Sequence, residues 1–246
     1  MKISLITVVY NGETFLQDCF DSVKAQTYPD LEYLVIDGAS TDSTINIIQE
    51  NSKHINYFVS EKDKGLYDAI NKGIEQATGD VVGILNADDK LASSEILSAV
   101  AKAFIENPGI DGIYGDLNYV HPHTNQIIRK WRSKQASQQH IKEGWMPAHP
   151  TLYLKKELFK NYGNYALDLR TTADYDLILR YFYQHKIKAL HLPLLMVSMR
   201  TGGLSNRSIQ NRIAAFIDDY KALKRNKVPN PLLVVLKKKF SKLSQL

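Results

Sequence analysis

The chain has little sulfur and no long apolar run, and each shortage narrows what it can be. Its single cysteine, Cys19, allows neither an intramolecular disulfide nor a cysteine-rich zinc site. It falls in the apolar spacing Phe15, Leu16, Cys19, Phe20, Val23, which places it on the buried face of a helix. No stretch of about 20 apolar residues occurs, so no helix spanning a bilayer is expected. The apolar opening from Met1 to Tyr10 is cut short by Asn11-Gly12-Glu13, and no small-residue cleavage site follows, unlike a secretory leader. A cytoplasmic location is the resulting expectation. Repeats and low-complexity tracts are missing too. With 44% hydrophobic and 10% aromatic residues, the 246-residue chain has the composition of one sizeable domain with room for a small appendage.

Three phosphate and nucleophile motifs are also absent. The first strand-to-helix turn reads Tyr10-Asn11-Gly12-Glu13 rather than G-x-G-x-x-G, which disfavours a dinucleotide fold. No G-x-x-x-x-G-K-[ST] occurs, against a P-loop phosphoryl-transfer enzyme, and no G-x-S-x-G, against an α/β-hydrolase. A nucleotide would have to be held by carboxylates and a metal instead.

What is present is an alternation. Strand signals at Ile3–Tyr10, Glu32–Asp37, Ile55–Ser60, Val81–Leu85 and Asp111–Val120 are separated by helical patterns at Thr14–Gln26, Thr41–Asn51, Tyr67–Ala77 and Glu95–Glu106. Helices of this length between strands predict right-handed crossovers and an α/β fold with a mainly parallel sheet. After residue 120 the alternation weakens. A returning strand at Gln126–Arg132, short elements at Thr151–Leu154 and Lys155–Tyr162, a helix at Ala173–His185, a strand at Lys188–Leu192 and a helix at Ser208–Lys224 are expected, followed by a basic helix after Pro229-Asn230-Pro231.

Polar clusters close four of the strands: Asn11-Gly12, then Asp37-Gly38-Ala39-Ser40-Thr41-Asp42, then Glu61-Lys62-Asp63-Lys64-Gly65, then Asn86-Ala87-Asp88-Asp89. In an open α/β sheet this is the ligand-binding rim. Each cluster alone suits an ordinary turn. Asp88 and Asp89 also suit the start of the next helix. Two adjacent acids at a strand end equally suit a hard divalent ion carrying phosphates.

In this order and spacing, Thr7-Val8-Val9-Tyr10-Asn11, Val35 to Asp42, Asp63 to Gly73, Leu85-Asn86-Ala87-Asp88-Asp89 and Thr172-Ala173-Asp174-Tyr175-Asp176-Leu177 resemble glycosyltransferase family 2, with its GT-A (Rossmann-like) fold. More narrowly they resemble bacterial enzymes of O-antigen, capsule and related surface-polysaccharide assembly. The resemblance runs from residue 3 to about 205. It implies a domain over 1–206, with a nucleotide-binding half over 1–120 and an acceptor-side half over 121–206, and leaves 207–246 as a basic helical extension. It implies an inverting, metal-dependent transferase of the hexosyltransferase type. Such an enzyme moves a sugar from a UDP-sugar to a hydroxyl of a glycan or an undecaprenyl-diphosphate-linked acceptor. Nucleic acid is not an expected partner. A metal-dependent nucleotidyltransferase and a catalytically silent sugar-binding protein are the alternatives.

The resemblance also distributes roles. Thr7, Val9 and Asp37 line the uracil and ribose pocket; Lys64 and Gly65 meet the nucleotide; Asp88 contacts the ribose or the metal; and Asp89 binds Mn²⁺ or Mg²⁺. Two departures bear on this. Asn86 stands where an Asp is frequent, shifting the metal role onto Asp88 and Asp89. Gly38 follows Asp37 where a second Asp is common, leaving Asp37 alone with the base. Asp174 is the implied general base, although its residue type also suits a helix cap. Asp176 is placed elsewhere around that helix. Trp145 either stacks on a sugar or anchors its loop. His149 contacts phosphate or acceptor, or serves the core. Gly202 and Gly203 suit a phosphate-gripping closing loop or any turn. His121-Pro122-His123 reads as a turn.

Residues 207–246 hold ten Lys/Arg against two Asp/Glu, out of a net charge of +5 for the whole chain. Leu232, Leu236, Phe240 and Leu243 share one helical face, with Lys237, Lys238 and Lys242 elsewhere and Lys239 within the stripe. Residues 231–246 are therefore expected to rest on an anionic membrane, at its inner face, as a peripheral anchor. Docking on the domain, or on a second copy in a homodimer, is the alternative.

Overall fold

The computed structural model describes the backbone of residues 1–202 and 209–243 and the side chains of 1–202 and 213–238. In chain order the first half runs β1 (Ile3–Val9), α1 (Leu16–Lys24), β2 (Leu31–Asp37), α2 (Thr44–Glu50), β3 (Tyr57–Ser60), α3 (Leu66–Gln76), β4 (Val81–Ile84), β5 (Lys90–Leu91) and α4 (Ile96–Glu106). The second runs β6 (Gly112–Val120), β7 (Ile127–Trp131), α5 (Gln138–Lys142), β8 (Tyr153–Lys155), α6 (Glu157–Tyr162), α7 (Ala173–Ile178), β9 (Ala189–Arg200), α8 (Ile209–Arg225) and α9 (Pro231–Leu243).

β1 is buried along its whole length because helices cover both faces of the sheet. Its alternate residues feed two cores: Ile6 and Val8 pack with α3 and α7, and Ile3, Leu5 and Val9 with α1 and α4. Gly73 lets α3 lie close on the sheet, since a Cβ there would come to 2.5 Å from a methyl of Ile6.

The strand order is β3-β2-β1-β4-β8-β6-β9-β5, with β7 paired to β6. From β1 the chain steps outward to β2 and β3, then crosses back to β4 on the other side of β1. That reversal makes the carboxyl ends of β1 and β4 a topological switch point, the place where open α/β sheets bind ligands. β1 to β4 are mutually parallel, as are β6 and β9. β8, β5 and β7 enter antiparallel, while β6 and β9 run in the same direction as β1 to β4, so among the described residues the sheet is mainly parallel with three short antiparallel strands. The α/β class is as expected from the sequence. Of the antiparallel strands, β7 and β8 come from the second half, where the strand-helix alternation fades, and β5 is the two-residue strand that follows the acid pair.

Two elements differ in extent from expectation. β9 does not stop near Leu192 but runs to Arg200. Its pairing with β6 steps from Tyr114–His191 to Asp116–Leu195, and this bulge accommodates Pro193 within the strand. The helix expected over Ala173–His185 is α-helical only to Ile178 and widens into a π-helix over Leu179–Gln184. At the C-terminus α8 packs against α7, and α9 against α8. Among the described residues no helix is long and apolar enough to cross a membrane.

Candidate active site

The acid pair sits where β4 ends, in a tight turn in which the Asp89 N–H donates to the Asn86 carbonyl at 3.0 Å. The pair does not cap a helix, because α4 begins only at Ile96. Asp89 is fully buried, and both its oxygens are engaged. One accepts the Arg200 backbone N–H at 3.1 Å, the other the Asn86 side-chain amide at 3.1 Å. The Arg200 guanidinium donates to the Asp88 carbonyl at 2.8 Å and the Pro122 carbonyl at 3.2 Å, pairs with Asp18, and lies 4.5 Å over the Phe15 ring. Burial, and then the neighbouring Asp88 charge, push the Asp89 carboxyl well above the usual range. Burial also raises Asp88, while Arg200 pulls it back.

This arrangement bears on metal binding. The Asp88 side chain, half-buried, has no side-chain partner among the described residues, so it is the carboxylate open to an ion. Among the described residues no three His, Cys, Asp or Glu converge into a cage. An ion here takes its remaining oxygens from outside the protein. One carboxylate plus substrate phosphates is how Mg²⁺ is usually held, so the donor set fits such an ion.

On the same edge of the sheet, Asp37 at the end of β2 is buried. It accepts the Ser40 hydroxyl at 2.5 Å, the Ser40 N–H at 3.0 Å and the Ser60 hydroxyl at 2.6 Å. The loops after β1 and β2 are tied together, Asn11 accepting the Thr41 N–H at 2.9 Å and its own N–H meeting the Ser40 hydroxyl at 2.8 Å. Thr7 sits deeper than its assigned role requires. It is fully buried, and its hydroxyl accepts the Tyr33 phenol at 2.9 Å on the core side of the sheet. Val9 is likewise buried and packs where a Cβ on Gly12 would go. The exposed group at this rim is the Tyr10 ring, 66% accessible and beside Gly38. Lys64 and Gly65 are exposed in the loop before α3, with Gly65 at φ +129°. Lys72 secures that loop by pairing with Glu61 at 2.7 Å and Asp63 at 2.6 Å.

Asp174 lies in the first turn of α7, but its side chain is not a cap. Its oxygens face the Tyr67 phenol at 3.3 Å and His149 Nδ1 at 3.1 Å. Tyr67 is stacked on Tyr165 at 5.5 Å. Burial and the Asp174 charge hold the Tyr67 phenol well above its ordinary value, so it stays a proton donor to Asp174. Asp176 turns away and accepts the Asn226 amide at 2.8 Å. Tyr119 lies near the carboxyl end of β6. Burial raises its phenol and Arg129 lowers it, and the charges of Asp89 and Asp174 both act on it.

The structure thus brings Asp174 and His149 together, and sets Asp88 and Asp89 at the same rim as Asp37. Trp145 is half-buried and packs edge-on against Tyr114 and His140. Residues 122–124 form a turn, as their proline suggests. Gly202 is exposed with φ +110°; Gly203 lies outside the described residues. Arg200, Tyr10 and Tyr67 are the site neighbours that the sequence did not single out. The Tyr67 signal was its place in the motif containing Lys64 and Gly65. Arg200 carried none, since only the full extent of β9 delivers it.

Residues 4–168 match the model of glycosyl transferase family 2. A PGL/p-HBAD biosynthesis glycosyltransferase of Mycobacterium bovis (strain BCG / Pasteur 1173P2) is 30% identical over 210 residues, 82% of this chain and 78% of the relative. Among solved structures, Staphylococcus aureus TarS 1-349 in complex with UDP superposes with a TM-score of 0.70 at 17% identity, over 97% of this chain and 70% of that one. A longer TarS structure, of which this chain spans 39%, gives 0.69 at 20% identity over 93% of this chain. The mannosyltransferase PcManGT from Pyrobaculum calidifontis, in complex with GDP-Man and Mn²⁺, gives 0.67 at 18% identity over 97% of this chain and 68% of its own length. With a strand-order reversal between β1 and β4, an acid pair at the carboxyl end of β4 and a family match over most of its length, the chain is a member of glycosyl transferase family 2 with the GT-A fold.

Proposed function

We propose that the protein is an inverting transferase that moves a sugar from a UDP-sugar to an acceptor hydroxyl in bacterial surface-glycan assembly. The observation that carries this is the Asp174–His149–Tyr67 cluster, together with the Asp88–Asp89 turn at the carboxyl end of β4. In this reading Asp37 receives the uracil N3–H and Tyr10 offers its exposed face to the base. Lys64 and Gly65 lie along the nucleotide. Asp88 holds a Mg²⁺ or Mn²⁺ ion, which when bound supplies positive charge beside the diphosphate. Asp89 positions Asp88 through the turn and through Arg200. Asp174 accepts the acceptor hydroxyl's proton while that oxygen bonds to the anomeric carbon. The bond from that carbon to the phosphate oxygen breaks, and its electron pair leaves with UDP. Attack opposite the leaving group inverts the anomeric centre. His149 and Tyr67 hold Asp174 in place.

The UDP complex of TarS and the Mn²⁺ complex of PcManGT support a nucleotide-and-metal reading by shared fold. The test is thermal stability with UDP, with and without Mn²⁺, followed by UDP release from a panel of UDP-sugars. Metal-dependent stabilisation by UDP is expected. Stabilisation only by a nucleoside triphosphate replaces this reading with nucleotidyl transfer, and indifference to every nucleotide with sugar binding alone.

The membrane contact is proposed for the outer face of α9. Val234, Val235 and Lys238 face inward, with Lys238 donating to Asp219 at 2.8 Å and lying 3.3 Å over the Tyr175 ring. Lys238 is therefore a docking residue and not one of the lipid-facing lysines the sequence suggested. Leu232, Leu233 and Leu236 are exposed beside Lys237 and make the lipid face. Lys239, Phe240, Lys242 and Leu243 have side chains outside the described set.

A further inference from the structure

Residues 117–142 contain five Lys/Arg and no Asp or Glu, and they form the arm that borders the active site on its β6–β7 side. β6 runs parallel to β9 and antiparallel to β8, as β4 does, so Tyr119 at its carboxyl end reaches the rim that carries Asp88 and Asp89. Directly opposite Tyr119 in the β6–β7 ladder is Arg129, whose guanidinium lies 4.1 Å over the Tyr119 ring. The Trp131 ring stacks beside Tyr119 at 6.3 Å and 11°. Arg132, the next cation along, pairs with Asp116 at 3.6 Å and donates to Asn118 at 3.1 Å. Arg129 has no acidic partner among the described residues.

From this we infer that Arg129, Tyr119 and Trp131 form an acceptor subsite for a phosphate-bearing glycan. The receiving sugar lies against the Tyr119–Trp131 pair and its phosphate against Arg129. Aromatic faces suit the apolar face of a sugar ring. A planar guanidinium matches phosphate oxygens two at a time. The acid-free arm adds long-range attraction for an anion and none for a neutral glycan. This deepens the transferase reading and rests on it. A phosphate at Arg129 has two sources, the donor's diphosphate or a phosphate on the acceptor, and we assign the acceptor because Arg129 stands on β7, which pairs with β6 and lies off the β3-β2-β1-β4 path of the sheet.

Trp131 is a built-in reporter, since the chain has two tryptophans and Trp145→Phe leaves it alone. The full chain carrying Trp145→Phe, and the parent chain as its control, are titrated with and without UDP and Mn²⁺. The probes are decyl-diphosphate-linked glucose, galactose, mannose and N-acetylglucosamine, and the matching decyl glycosides without phosphate. Saturable change in Trp131 emission is expected, with a diphosphate-linked probe binding at least about tenfold tighter than its neutral counterpart. Arg129→Gln should shrink that preference to within about twofold while leaving UDP stabilisation intact. Equal binding of both series, no response to either, or a preference that survives Arg129→Gln overturns the subsite. Loss of UDP stabilisation in Arg129→Gln assigns the phosphate to the donor and also overturns it. Failure of UDP to stabilise the parent protein sinks the transferase reading instead, a separate result.

Discussion

Replacing Asp174 by Asn keeps an oxygen facing His149 and Tyr67 but removes the site that takes a proton. Asp174→Asn is expected to lower turnover by about 100-fold or more while UDP binding, read by calorimetry, stays within about twofold, because a base acts only in the transition state. Normal turnover would move the base elsewhere. The acid pair predicts a pH effect of definite sign. Burial raises both carboxyls, so the folded chain keeps protons there that the unfolded chain has lost. That contribution favours folding at low pH and fades as pH rises through the raised values. A cation at Asp88 competes with those protons. Stabilisation by Mn²⁺ with UDP should therefore grow from pH 5.5 to 7.5, and in Asp88→Asn it should be small and flat. A metal effect that shrinks with rising pH would refute the placement.

At the scale of elements, β9 matters because it ends on Arg200, whose backbone and guanidinium hold both halves of the Asp88–Asp89 turn. Arg200→Ala removes several buried hydrogen bonds. It should destabilise the protein by about 2 kcal/mol in urea unfolding, and it should weaken metal-dependent UDP binding although Arg200 is not assigned to the ligand. The junction of α9 is a second case. Lys238 and Asp219 form a buried pair under Tyr175, on the same helix as Asp174. Lys238→Met leaves Asp219 buried and unpaired and should cost about 3 kcal/mol. Adding Asp219→Asn should recover most of that loss. Failure of the double substitution to recover stability would mean that α9 is held by other contacts.

At the scale of the whole molecule, one surface should set where the enzyme works. The exposed Leu232, Leu233 and Leu236 are expected to carry binding to anionic vesicles. Leu232→Ser with Leu236→Ser should lower the vesicle-bound fraction several-fold in sedimentation, and added salt should lower it further. Deleting residues 231–246 is a poorer test, because it also strips Val234, Val235 and Lys238 from the surface they cover. Vesicle binding that ignores the leucine substitutions would place the contact elsewhere.

The strand-helix alternation of the first 120 residues was legible because each element has one hydrophobic period and one strand-end turn. From it follow β1 to β4, the helices between them, and the rim carrying Asp37 and the acid pair. The motif around Asp174 was legible as chemistry only through the family resemblance, since residue type alone favoured a helix cap. What the chain could not declare were relations between distant segments. His149 and Tyr67 reach Asp174 only when the loop before β8 and the start of α3 meet α7. Thr7 turned inward because strand alternation at the centre of a sheet covered on both faces leaves no side exposed. Lys238 was assigned by helical periodicity to the polar face, but a lysine can be buried wherever an acid such as Asp219 and an aromatic ring are waiting, and that pairing exists only in the tertiary structure. Local periodicity fixed the elements; the partners of charged and polar side chains were fixed by packing, since a buried polar group is stable only where its partner arrives from elsewhere in the chain.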